Sequence, residues 1–247
     1  MASDSEATES GHTRYDVEKI WTCGSLLMGY TGATSVKQPL AAVLGQVVAN
    51  SFGNSSEIDR VQGRETLRPA TAQVLHSLYE FHVGARDQHQ IPEALKGVLL
   101  VVGRDADGYW LLELDYMAQA TFYTENGFHT IGSGAAAAYV AHSLMREYDS
   151  MGRSAADLRL IAHRTVQTCI DTMGGQWGVG GHVQLWSSER SGPFAKASQQ
   201  EIEAIENGVE QWRGIERESL NQLRLGGAPP PEGVPLPEPP NTGATAS

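Results

Sequence analysis

The sequence predicts an α+β protein in which hairpin-connected strands and helices occupy separate stretches of chain, the helices covering the sheets from outside. Three observations lead there. Gly97 to Gly103 (GVLLVVG) is a short continuous apolar run, as a strand buried on both faces requires. Arg104 to Gly108 then supplies turn chemistry before a return strand over Tyr109 to Leu114. Several other stretches carry apolar residues at three- and four-residue steps, the period of a helix lying on a core. The resulting order is strands, two helices, strands, two helices, a strand and a helix, which is not the strict alternation of a nucleotide-binding parallel sheet.

The elements follow in chain order. Lys19 to Cys23 and Ser25 to Tyr30 read as a strand pair broken at Gly24. Ser35 to Ala49 places Val36, Leu40, Val43, Leu44 and Val47 on one helical face, and Leu67 to Phe81 does the same with Val74, Leu75 and Leu78. Ala120 to Tyr123 and Phe128 to Ile131 are expected as short strands divided by a turn at Glu125-Asn126-Gly127. A helix over Ala135 to Tyr148 starts in a run of small residues. The next, Ser154 to Met173, opens on Ser154 with Asp157 three places on. Ser198 to Leu223 is a long amphipathic helix with a capping box in Ser198 and Glu201. Its stripe of Ile202, Ile205, Val209, Trp212, Ile215 and Leu220 must lie on this chain's core or on a neighbouring subunit. Residues 226 to 247 (GAPPPEGVPLPEPPNTGATAS after Gly226) form a Pro/Gly-rich tail, expected to be disordered or polyproline-like, either a plain tail or a Pro-rich docking ligand. The organisation is one domain over 1–225 and a tail over 226–247.

Composition excludes several functions. Lys and Arg total 18 against 29 Asp and Glu, a formal net charge of −11, so general binding to nucleic acid or an anionic membrane is not expected. Two cysteines, Cys23 and Cys169, make neither a disulfide scaffold nor a zinc pattern. No apolar run is long enough to span a bilayer, and the reading is of a soluble, cytoplasmic protein. No cofactor or metal is called for. The eight histidines show no ligand spacing, and the glycine-rich stretch Gly174 to Gly181 follows a helix and precedes a strand, the reverse of a phosphate-cradling loop.

Two features carry chemistry. Gly132-Ser133-Gly134 lies between an expected strand and a helix, so Ser133 either caps the helix or turns its hydroxyl towards a site. Asp4 and Lys19 can meet across neighbouring strands. An ammonium held there by a carboxylate lowers the pKa of a nearby amine or hydroxyl, whereas the plainer readings are a structural ion pair or two solvated charges.

Four segments taken in register resemble a known family: ASDSEAT (Ala2 to Thr8), DVEKIW (Asp16 to Trp21), LLMGYTGAT (Leu26 to Thr34) and FHTIGSGAAAAYV (Phe128 to Val140). They resemble the proteasome β-type subunits, including the bacterial proteasome-like peptidases of the N-terminal-nucleophile hydrolase superfamily, over roughly Ala2 to Ser188. The resemblance implies a four-layer αββα sandwich and a threonine-type endopeptidase acting on unfolded polypeptides. In that family an N-terminal threonine attacks the scissile carbonyl with its own α-amine as general base, an amine whose pKa lies near operating pH. Carried over by position, Asp4 holds Lys19, the Lys19 charge tunes the nucleophile, and the Gly32 backbone N–H serves the oxyanion. Thr8 pairs with an extended substrate backbone, Tyr30 and Thr31 border the substrate, and Ser133 supports the amine. The resemblance also implies self-association into rings or stacked rings.

Two departures shape the expectation. The family's nucleophile lies well upstream of the Asp4 position, and only Met1, Ala2 and Ser3 precede it here. Ser3, Ser5, Thr8 and Thr13 cannot substitute, so the chain reads as shortened at its start and lacking the nucleophile. Gln176 and Val179 stand where the family has an Asp-x-x-Ser pair, and Asp171 falls too early to replace it. The alternatives are a non-catalytic ring subunit or an unrelated α+β binding protein.

Overall fold

The computed structural model describes residues 1–9, 13–83, 95–123, 128–146, 154–174, 179–188 and 192–224. It is an α+β fold of ten strands, all paired antiparallel, and five helices among the described residues. Strands β1 (Ala2–Asp4), β2 (Glu6–Glu9), β3 (Thr13–Asp16), β4 (Ile20–Cys23) and β5 (Leu26–Thr31) come first, followed by helices α1 (Thr34–Phe52) and α2 (Arg60–Val83). Next are β6 (Val98–Asp105), β7 (Gly108–Leu114), β8 (Ala120–Phe122), α3 (Ala135–Arg146) and α4 (Ala155–Met173). The chain closes on β9 (Val183–Ser187), β10 (Ala195–Lys196) and α5 (Gln199–Arg224). The segregated order expected from the sequence is the one found.

A five-stranded meander, β4-β5-β6-β7-β8, forms the larger sheet, with registers such as Tyr30 opposite Leu99 and Val101 opposite Leu112. Alternation sorts its side chains. Met28, Tyr30, Leu99, Val101, Trp110, Leu112 and Leu114 point to one face and make the main core with Val36, Leu40 and Leu44 of α1 and Leu67 and Val74 of α2. Trp110 fixes one end of that core. It is fully buried, donates from Nε1 to the Ile58 carbonyl at 3.0 Å, and lies where a Cβ on Gly103 would come within 2.1 Å of its ring.

The second sheet is smaller, in the order β1-β9-β10, with Ala2 opposite Leu185 and Asp4 opposite Val183. Ala2 and Leu185 pack against Leu160 and Ala162 of α4 and Ile205 and Val209 of α5. The helix α5 is clamped to α4 by the Arg164 guanidinium, 4.0 Å from the Trp212 ring centre, and by its 2.5 Å contact with Glu216. The N-terminal part of the stripe on the last long helix, from Ile202 to Trp212, therefore lies on this chain's own core, while Ile215 and Leu220 are exposed. A two-stranded ribbon, β2-β3, continues the chain from β1. No helix among the described residues is long and apolar enough to cross a membrane.

Two expectations need correction. α2 begins at Arg60, seven residues before the first apolar-periodic position, because Asp59 Oδ1 accepts the Val61 and Gln62 N–H groups at 3.0 and 2.9 Å and caps a polar first turn. Residues 128 to 131 form no strand. His129 is drawn off any sheet edge by Glu113 (2.5 Å) and Tyr139 (2.8 Å) while its ring stacks on Tyr123 at 3.6 Å, and Thr130 Oγ1 donates to the Ala135 carbonyl. The expected turn at 125–127 and the tail at 226–247 lie outside the described residues.

Candidate active site

The site begins with β1, which pairs with β9 among the described strands. Met1 and Trp186 exchange both backbone hydrogen bonds at 2.8 Å, so the antiparallel ladder turns the N–H and C=O groups of Ser3 towards β9 and those of Ala2 and Asp4 the other way. Burial pulls the Met1 amino group from an ordinary 8.0 to about 6, which leaves it largely uncharged at neutral pH.

Asp4 ends β1 with both carboxylate oxygens engaged. Oδ1 accepts from Lys19 Nζ at 2.8 Å and Oδ2 accepts from the Gly180 N–H at 3.0 Å. The side chains are 16% and 23% exposed for Asp4 and Lys19, so the pair lies well inside the surface without being sealed. Gly180, between α4 and β9, thus serves as a backbone donor to a carboxylate.

Lys19 is placed by a residue that the sequence does not single out. The buried Gln184 of β9 accepts from the Lys19 backbone N–H through Oε1 (3.4 Å) and donates through Nε2 to the Val17 carbonyl (2.9 Å). This side chain ties the link between β3 and β4 to the smaller sheet, and Nζ is aimed at Asp4 as a result. Its only sequence signal is a polar residue inside an otherwise apolar strand, which a buried position must satisfy with hydrogen bonds.

Both members of the pair face a cavity of about 490 Å³. One wall is the inner face of the larger sheet, including Leu27, Thr31, Leu100 and Val102. The opposite wall comes from α3 and α4, including Ala138, Ile161 and Thr165, and β1 forms a side. The turn from Gly132 to Gly134 stands at its rim, with Gly132 in the left-handed region (φ 99°) and Ser133 exposed.

Asp4, Lys19, Thr31 and Ser133 therefore surround one space. Gly32 follows Thr31 with φ 136°, and a Cβ there would meet Tyr30 Oη at 2.7 Å and Gly97 Cα at 3.0 Å, so glycine is required. Tyr30 touches the cavity, but its ring belongs to the core under α1 and α2, and burial pushes its phenol up to about 12. Thr8 lies on β2 opposite Arg14. Val179 is buried against Ala138 and Cys169, and Asp171 pairs with Arg213 of α5 at 2.7 Å, so neither presents a carboxylate or hydroxyl to Lys19. Gln176 lies outside the described residues. Burial, and then the nearby Asp4 charge, raise the Cys169 thiol and keep it protonated. Among the described residues no group of three His, Cys, Asp or Glu side chains is arranged to hold a metal ion.

Chemically, the arrangement fixes a positive charge at the edge of a largely apolar space. Such a charge lowers the pKa of an adjacent amine or hydroxyl and draws negative charge as it develops.

The fold has known counterparts. Anbu (ancestral beta-subunit) from Yersinia bercovieri is similar over 90% of this chain and 92% of its own, with a TM-score of 0.66 and 11% identity. A Gly-1 mutant of Anbu from Hyphomicrobium sp. strain MC1 is similar over 90% and 91%, with a TM-score of 0.63 and 10% identity. At that identity the likeness shows the fold alone. No family model matches the chain, and no curated protein matches it. The assignment from motifs, to a proteasome β-type subunit or bacterial proteasome-like peptidase shortened at its start, is therefore corrected. The four short motifs mark tight turns and an ion pair, features that a shared fold imposes on a chain without close kinship.

Proposed function

We propose that this chain is a subunit of a proteasome-like assembly and that its Asp4–Lys19 site serves threonine-type hydrolysis of peptide bonds in unfolded polypeptides. The observation that carries the reading is the 2.8 Å contact of Lys19 Nζ with a carboxylate whose other oxygen is held by the Gly180 N–H, at the edge of a cavity between packed layers. In this role Lys19 stabilises the deprotonated hydroxyl and the neutral amine of the attacking residue, and Asp4 holds the ammonium in place. The Gly32 N–H takes the oxyanion and Ser133 supports the amine. Thr8, Tyr30 and Thr31 flank an extended substrate. The helices and sheets complete a four-layer αββα sandwich, and copies of the chain close into rings in the cytoplasm.

The test is hydrolysis of a fluorogenic peptide by the protein isolated from its own cells. Activity that is lost in Lys19→Ala while the assembly persists supports the proposal, and activity unchanged in Lys19→Ala overturns it. A second reading is a non-catalytic ring subunit, in which the 2.8 Å contact of Lys19 with Asp4 is a structural ion pair. It predicts an assembly with no hydrolysis in either form.

A further inference from the structure

We propose that Tyr139 is a nucleophilic site that accepts an acyl group from a neutral activated ester, with His129 as its base and Glu113 orienting that base. The three side chains come from different parts of the fold, and none of them belongs to the Asp4–Lys19 pair.

Strand alternation and helix position bring them together. Glu113 on β7 points away from the face that buries Leu112 and Leu114 in the main core. Tyr139 lies in the first half of α3. His129, in the irregular segment before α3, stands between them, with Nε2 at 2.5 Å from Glu113 Oε2 and Nδ1 at 2.8 Å from Tyr139 Oη. A carboxylate has no proton to give, so the neutral imidazole carries its proton on Nε2 and donates from there to Glu113. Nδ1 is left as an acceptor, and the Tyr139 hydroxyl donates to it. The acid thus sets the tautomer, and the base faces the hydroxyl within the reach of proton transfer.

Exposure follows the same order. The His129 and Glu113 side chains are 7% and 22% exposed, whereas Tyr139 is 41% exposed, so the base is shielded while the nucleophile is open to solvent. Ring contacts hold the alignment. The His129 ring stacks on Tyr123 at 3.6 Å with 13° between the planes, and Phe128 meets the Tyr139 ring nearly at right angles at 5.5 Å. Phenol and imidazole are therefore ordered before an ester arrives. Aromatic surface beside the phenol suits an aryl ester. The negative charge of Glu113 behind the base favours a neutral donor over an anionic acyl phosphate.

The step balances without a co-reactant. Tyr139 Oη bonds to the acyl carbon while its proton passes to His129 Nδ1. The bond from that carbon to the leaving aryloxide then breaks, and the departing oxygen takes the proton from Nδ1. The products are an acylated Tyr139 and a free phenol.

This inference does not rest on peptide hydrolysis at Asp4–Lys19, because it is read from the position of the adduct. The full chain is exposed briefly to p-nitrophenyl acetate, and acetylation of each tyrosine is quantified by peptide-mapping mass spectrometry. Tyr116, 36% exposed, is the internal reference for a phenol of similar access. Tyr139 should be acetylated about a hundredfold faster than Tyr116, the lower end of what a positioned general base supplies. His129→Gln should bring Tyr139 down to the Tyr116 rate. A purely structural hydrogen bond predicts the opposite, a Tyr139 slower than Tyr116 because its hydroxyl is engaged. If His129→Gln does not fold, the ratio of Tyr139 to Tyr116 in the unaltered chain decides. A ratio under about tenfold, or a ratio unchanged in a folded His129→Gln, would overturn the proposal.

Discussion

Replacing Asp4 by alanine removes two charge-assisted hydrogen bonds at once, from Lys19 Nζ at 2.8 Å and from the Gly180 N–H at 3.0 Å. A hydrogen bond to a charged group contributes about 1.5–3 kcal/mol when buried, and an exposed ion pair contributes about 0–1 kcal/mol. With 16% and 23% side-chain exposure this pair sits between those limits, so Asp4→Ala should cost about 2–4 kcal/mol. Asp4→Asn keeps an acceptor for Gly180 and forfeits the ion pair, and about half that loss is expected, on the order of 1–2 kcal/mol. Urea denaturation followed by circular dichroism reads both values, and with a slope of about 1–3 kcal/mol per molar the alanine variant's midpoint moves by roughly 1–2 M. A cycle with Lys19→Met isolates the pair, with a coupling of about 1 kcal/mol expected. If Asp4→Ala costs under about 0.5 kcal/mol and is additive with Lys19→Met, the two charges are merely adjacent and the reasoning about a held ammonium fails.

Other parts of the structure give further predictions. Gly103→Ala places a Cβ 2.1 Å from the Trp110 ring and should destabilise by about 3 kcal/mol in the same denaturation assay, whereas a Cβ on Gly108, in the same hairpin, would meet nothing within 4 Å. Trp212→Ala uncovers the α4–α5 contact and should cost about 3–5 kcal/mol in thermal melts, with loss of helical signal from α5. His163, buried on α4 near Glu206 and Arg213, has its pKa pushed below the ordinary 6.5 by burial and then by the Arg213 charge. The unfolded chain therefore takes up the proton first, so this contribution is fully present above about 6.5 and is lost as pH falls through the folded value. Stability measured from neutral to mildly acidic pH should decline less steeply in His163→Met than in the parent chain.

Local chemistry was the part of this fold most legible in the sequence. Ser154 with Asp157 and Ser198 with Glu201 form the capping boxes that their spacing implies, and both helices start where those residues stand. The hairpin from Gly97 to Leu114 reads directly, because a continuous apolar run and a Gly-containing turn leave few alternatives. Features set by distant partners were less visible. The polar first turns of α2 carry no apolar period, yet Gly63 there lets the helix approach the Trp110 ring, where a Cβ would stand 3.1 Å away. His129 and Thr130 have strand-like neighbours in sequence but are captured by Glu113, Tyr139 and Ala135. At the site, two charges fifteen positions apart suggested the pair, while Gln184 and the Gly180 N–H, which orient it, join from the far end of the chain.

Native mass spectrometry of the intact protein decides whether the chain is the proposed subunit of a closed, proteasome-like assembly. A discrete species at a ring-sized multiple of the 26.6 kDa chain, retained in Asp4→Asn, is the predicted result. A single 26.6 kDa monomer throughout the micromolar range would contradict it.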